Sequence, residues 1–295
     1  MIKPKFVVTL VAGISICALS SCAHGPKPRT PLVSNSAYGE LTELRSQADV
    51  VVIPQWHLSP NEDTQANPRP KLPQSLNQIS IYNQLVEWVD AGQIKSVVVE
   101  GCEGEITEDS PLKFNGWTVQ TLKSLSEDDR NSTLTQMGLK LKAHYGPKLP
   151  VLCGDDLALI QKHQLLLSDM RGFIGFKIRI NEFKNQPLKR KDYVATVREL
   201  LKLRPETTDE QVITALNQEL QSKVDQFETI VKERNQRFVA ASAPRSAVVI
   251  GALHVADLSQ QLRASGKTVV TFRPLGLEGG ESELINQIRQ LLKEN

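Results

Sequence analysis

The side chains best suited to chemistry sit just after strand-like segments. His57 comes four residues after a β-branched run, Glu100 closes Ser96-Val97-Val98-Val99, Asp155 and Asp156 follow Leu149 to Cys153, and His254 stands three residues past Gly251. Neutral imidazoles and carboxylates are the ligands that borderline divalent cations such as Zn, Mn, Co or Fe accept. Such an ion can lower the pKa of bound water toward about 7 and make it a nucleophile. The set predicts a metal-assisted hydrolytic centre with His57, Glu100, Asp156 and His254 as ligands. No HExxH, CxxC or DxDxDG signature accompanies it, so the spacing does not choose a metal. Each residue also has a structural alternative. Glu100 could cap a helix or pair with an arginine, the Asp155-Asp156 pair could be a helix N-cap, and His254 could be a satisfied core histidine. Trp56, next to His57, could stack on a ligand or bury its loop. His144 and His163 fall in helical stretches, where a solvated or core role is expected.

The elements that must position these groups alternate. Ala48 to Ile53, Ser96 to Glu100, Leu149 to Cys153, Ala247 to Gly251 and Thr268 to Phe272 are short runs rich in β-branched and aliphatic residues. They read as strands buried on both faces. Between the first two lie a polar, proline-containing loop (54–73) and a helix in which Ile79, Tyr82, Leu85, Val86 and Val89 recur at helical spacing. Ser75 is its expected cap, and Gly92 its end. Residues 117–144 read as helical until Gly146-Pro147. Residues 157–241 read as three helices broken at Pro187 and Pro205, stacked on the sheet or set apart as an insertion, and 281–292 as a last helix. The expectation is an α/β fold, a mainly parallel sheet flanked by helices with a helical insertion before the fourth strand, whose ligands meet the C-terminal strand ends.

The run Glu233-Arg234-Asn235-Gln236-Arg237-Phe238, followed by Val248-Val249-Ile250-Gly251-Ala252-Leu253-His254-Val255, resembles the paired ERN and GAxHL motifs of the TraB/Tiki (PrgY) family. A histidine after the first strand and a strand ending Val-Val-Glu-Gly are similar to the earlier motifs of that family and of the related ChaN-type haem-binding lipoproteins. The likeness runs from about residue 48 to 275 through four short islands. It implies an α/β fold with two related halves and, by analogy with Tiki members, divalent-metal-dependent peptidase activity. It also implies roles: His57 and His254 as paired site histidines, Glu100 as the carboxylate, and Arg234 as a cation facing the same pocket, stabilising negative charge in the transition state. The ChaN likeness implies the alternative, a non-catalytic binder of haem or iron. Pro54-Gln55-Trp56 stands where the family usually carries a glycine, which reshapes the entrance. Aromatic residues are only 5% of the chain, which favours a polar metal site over a haem pocket.

The address is written in the first residues. Lys3 and Lys5 precede a largely apolar stretch from Phe6 to Leu19, too short for a stable membrane span, and Leu19-Ser20-Ser21-Cys22 resembles the lipobox of bacterial lipoproteins. Residues 1–21 are thus expected to be a signal peptide and Cys22 a diacylated anchor holding the protein on a membrane. Lacking Asp after Cys22, the chain is expected at the outer membrane of the cell envelope, facing the periplasm. Residues 22–44 read as a flexible, proline-containing tether, and 45–295 as one α/β domain with 157–241 inserted. Losing Lys3 and Lys5 leaves 33 basic residues against 33 acidic ones, so no nucleic-acid partner is indicated, and the substrate class, peptide or small molecule, stays open. Cys102 and Cys153 lie near the same ends of sequence-neighbouring strands. If those strands pair, the two are within disulfide reach, and an exported protein would oxidise them; the alternative is that both thiolates join the metal site.

Overall fold

The computed structural model describes residues 31–43, 48–56, 73–277, 286 and 288–292. Its frame is a seven-stranded mixed sheet flanked by helices. The strands are β1 (Gly39–Leu41), β2 (Val50–Gln55), β3 (Ser96–Val99), β4 (Glu103–Glu105), β5 (Val151–Gly154), β6 (Ser246–Gly251) and β7 (Val269–Pro274), in the order β1-β7-β2-β6-β3-β5-β4. The five inner strands are parallel, whereas β1 runs antiparallel to β7 and β4 to β5. The β-branched runs dictate this core. Val50 to Ile53, Val97 to Val99 and Ala247 to Ile250 are almost entirely buried, as strands covered on both faces must be.

The helices are α1 (Pro73–Asp90), α2 (Val119–Lys123), α3 (Glu127–Ser132), α4 (Met137–Tyr145), α5 (Leu157–Glu182), α6 (Pro187–Leu200), α7 (Asp209–Ala241) and α8 (Val255–Ala264). One layer packs α1, α2 and α4 on the sheet with Ile81, Leu85, Trp88, Leu122 and Leu139. The other face is covered by α8 and the end of α7, through Leu258, Leu262 and Phe238. Helices α5 and α7 pack with Ile288 in one apolar cluster around Met170 and Phe227, and α5, α6 and α7 in another around Val197 and Leu216. No helix among the described residues is long and apolar enough to cross a membrane.

Several elements differ from the sequence expectation. Helix α1 starts at Pro73, a favoured first-turn residue, so Ser75 lies inside it and buried rather than capping it. The helical stretch 117–144 is three short helices, because Thr118 and Ser126 each accept a backbone N–H and restart the chain. Residues 31–43 are docked and not free. Asn35 N–H donates to Gln84 Oε1 (2.7 Å), Trp88 Nε1 to the Val33 carbonyl (2.6 Å) and Gln93 Nε2 to that of Pro31 (2.6 Å), and β1 follows. Residues 1–30, with the signal peptide, Cys22 and most of the expected tether, lie outside the described residues, as does much of the expected last helix.

Candidate active site

The C-terminal ends of the strands carry a buried charge cluster, and each member is put there by the element that bears it. Glu100 is the first residue after β3, which pairs in parallel with β6 at Val99 and Val249, so its carboxylate faces the β6 exit. Its Oε2 accepts the Gly251 N–H at 2.7 Å. Asp155 follows β5 and accepts the Gly101 N–H at 3.1 Å. Gly154 before it has no room for a side chain, since a Cβ there would lie 2.4 Å from the Phe238 ring. That close approach brings the end of α7 onto β5.

Helix α7 supplies the cation through its burial stripe. Leu216, Leu220, Val224, Phe227 and Ile230 lead at helical spacing to Arg234 and then Phe238, so the stripe that buries the helix carries a guanidinium into the core. Arg234 Nε donates to Asp155 Oδ1 at 2.8 Å, and Nη2 to Asp155 Oδ2 at 2.6 Å and Glu100 Oε1 at 2.7 Å. Its Nη1 donates to His163 Nδ1, which keeps that imidazole neutral with its proton on Nε2. Burial acts to lower the pKa of Arg234, but its hydrogen bonds to Asp155 and the charges of Glu100 and Asp155 outweigh it and raise it well above the usual arginine range.

His254 is fully buried beside Glu100. The amide of Asn235 donates to Asp257 Oδ2 (2.7 Å) and the His254 carbonyl (3.4 Å), so its Oδ1 is the acceptor for His254 Nδ1 at 2.7 Å. The Nδ1 proton is thereby fixed, and Nε2 is left facing Glu100 Oε1 at 3.6 Å. A hydrogen bond that orients an imidazole through its other ring nitrogen, here to the Asn235 amide oxygen backed by Asp257, is the support that metal-ligating and proton-transferring histidines share.

Of the expected site residues, Glu100, Arg234 and His254 are brought together. Asp156 is not. Its Oδ1 accepts the N–H groups of Ala158 (3.0 Å) and Leu159 (3.2 Å) as the N-cap of α5, and Asp155 takes the place in the cluster. His57 lies outside the described residues; Gln55, two residues before it, pairs with Gly251. The N–H of Trp56 is held by Asn77 Oδ1 at 2.8 Å. His163, for which a solvated or core role is expected, is a buried residue of α5 and also bonds the central arginine. Its signal was the stripe Leu166, Met170, Phe173 and Ile180 in α5, which read backwards places residue 163 on the buried face. Cys102 and Cys153 are joined as a disulfide with their Cα atoms 5.1 Å apart, so neither is a ligand here. Among the described residues, no group of three or more His, Cys, Asp or Glu side chains is arranged to hold a metal ion. Compared with protein-family models, curated proteins and solved structures, the chain matches none.

Proposed function

We propose that this protein is a lipid-anchored, divalent-metal-dependent hydrolase of the cell envelope, with peptides as its substrate class, and that Glu100 and His254 hold the ion together with His57. The observation that carries this reading is the fixed His254 tautomer with Nε2 directed at Glu100 Oε1, 3.6 Å away. That separation is too long for a hydrogen bond and close to the edge of about 3.4 Å expected between two ligands of a tetrahedral ion with bonds of about 2.0–2.2 Å. The ion would supply an activated water, while the chain's own groups do the rest: Asn235 and Asp257 hold the imidazole, and Arg234 fixes Glu100 and Asp155 and offsets their charge. In this reading residues 157–241 are a helical insertion that walls the site, with His163 from α5 and Arg234 and Asn235 from α7. The motif resemblance to the TraB/Tiki family and the lipobox-like Leu19 to Cys22 support the class and the address.

The ChaN-like alternative, a haem carrier, is less well supported. His254 has no exposed edge to offer an axial bond, and its Nε2 is turned toward a carboxylate. Metal analysis of the purified mature chain tests the proposal. The expected result is a bound divalent ion, lost with chelator-sensitive peptide hydrolysis in both His254→Gln and Glu100→Gln. A chain that takes up no divalent ion, or keeps it in both variants, refutes it, and a Soret shift on hemin titration that His254→Gln leaves intact points to the carrier instead.

A further inference from the structure

The end of the sheet opposite the charge cluster carries its own pattern. Backbone hydrogen bonds tie the strand starts into one rim: Asp49 N–H donates to the Thr268 carbonyl, Arg245 N–H to that of Asp49, and Lys95 N–H to that of Arg245. Four of the five parallel strands are entered past a basic residue here, Lys95 before β3, Lys148 before β5, Arg245 before β6 and Lys267 before β7. Lys95 and Lys148 are exposed. Two acidic side chains share this end, Asp49, which accepts from the N–H and hydroxyl of Thr268, and Asp90, which accepts from the Tyr145 hydroxyl at 2.9 Å, so the four basic residues outnumber them. The described chain also enters at this rim. Pro31 is held by Gln93, whose own carbonyl accepts from Arg245 Nε at 3.3 Å.

We infer that this basic rim rests on an anionic lipid surface, turning the Glu100, Arg234 and His254 cluster away from the bilayer toward substrates on the aqueous side. The inference rests on the reading of Cys22 as a lipid anchor. Eight residues lie between Cys22 and Pro31, and a fully extended chain spans at most about 3.3–3.6 Å per residue, so over the nine steps from one to the other the rim cannot stand more than about 32 Å from the anchor. The strands then lift the cluster by a further 13 Å or so, four residues of about 3.3 Å from Ser96 to Glu100. Basic groups near the headgroups add an attraction that acts within a Debye length.

Energy transfer to a headgroup-labelled acceptor lipid tests this on the full mature chain in vesicles, with a donor dye on A243C at the rim or on E103C at the opposite end. Transfer is expected to be greater from position 243 than from 103. It is expected to rise further when phosphatidylglycerol is added to phosphatidylcholine vesicles, and to lose that increment at 1 M salt, where the Debye length falls to about 3 Å, and in Lys95→Glu with Lys148→Glu. Equal or reversed transfer overturns the orientation, and an increment that salt and the double variant leave intact overturns the electrostatic docking. Mass spectrometry showing Cys22 without acyl chains overturns the anchor beneath both. The readout involves neither metal nor turnover, so it stands apart from the hydrolase assay.

Discussion

Replacing Arg234 with Met removes the cation while keeping a side chain long enough to fill its place on the α7 stripe. Two buried carboxylates, Glu100 and Asp155, then face each other without the three hydrogen bonds of 2.6–2.8 Å that Arg234 gives them. Breaking one side of a buried ion pair costs about 3–5 kcal/mol, because the partner charge stays behind uncompensated. At roughly 2–4 °C per kcal/mol for a chain of this size, the midpoint of thermal unfolding at pH 7 should fall by about 6–20 °C. Two like charges held together in a buried site repel each other, whereas the unfolded chain lets them separate into water. The deficit against the native chain, followed by urea denaturation at neutral pH, should shrink at high salt only slightly, since buried charges are weakly screened. Adding Glu100→Gln to the variant should recover part of the loss, and the double-mutant cycle should report a coupling between 100 and 234 of more than about 1 kcal/mol. A loss below about 1 kcal/mol at pH 7, or a cycle without coupling, would refute the reasoning.

Reduction of the Cys102 to Cys153 disulfide, which closes a 51-residue separation, should lower stability by up to about 4 kcal/mol on chain-entropy grounds, read as a shift in urea midpoint with and without reductant. Gly154→Ala would place a Cβ 2.4 Å from Phe238 and 2.7 Å from Val98; the overpacking should cost about 1–3 kcal/mol and, by displacing Asp155, depress the proposed hydrolysis beyond the stability loss. Above pH 10 stability should fall, since burial raises the hydroxyl pKa of Tyr82 and, helped by the hydrogen bond to Asp90, that of Tyr145, so the folded form holds protons the unfolded chain releases. Tyr145→Phe should flatten that decline in alkaline denaturation curves, and an unchanged slope would show that Tyr145 does not titrate on unfolding.

The inner sheet is legible in the sequence because a strand covered on both faces needs an unbroken aliphatic run, and such runs are rare enough to be unambiguous. Strands β1 and β4 are not legible. Gly39-Glu40-Leu41 and Glu103-Gly104-Glu105 have neither alternation nor length, and become strands only because β7 and β5 offer them an edge. The proline-containing segment after residue 30 looks like a free tether for a similar reason: its docking runs largely through its backbone, with the Val33 and Pro31 carbonyls bound by Trp88 and Gln93. In the site, Glu100 and His254 stand out as polar groups closing apolar strands. The choice between Asp155 and Asp156 is decided by where α5 begins. With Leu157 as its first residue, the second aspartate is spent on the helix N-cap and the first is left to face the cluster.

Charge sorting between the two ends of the sheet has an internal cause that bears on both proposals. In a parallel sheet each crossover helix runs back against its strands, so α5 and α8 begin at the C-terminal strand ends while α1, α7 and α8 finish at the opposite rim. Helix starts favour carboxylates and helix ends favour cations, which accounts for Asp155, Asp156 and Asp257 at one end. It also accounts for Lys267 at the other, whose Nζ donates to the carbonyls of Val239 (2.8 Å) and Ser242 (2.6 Å) at the end of α7. Lys267 is therefore consumed by its own fold and adds little to attraction for lipid. Lys95 and Lys148 are exposed on the same rim, so an electrostatic attraction to anionic headgroups must run mainly through that pair.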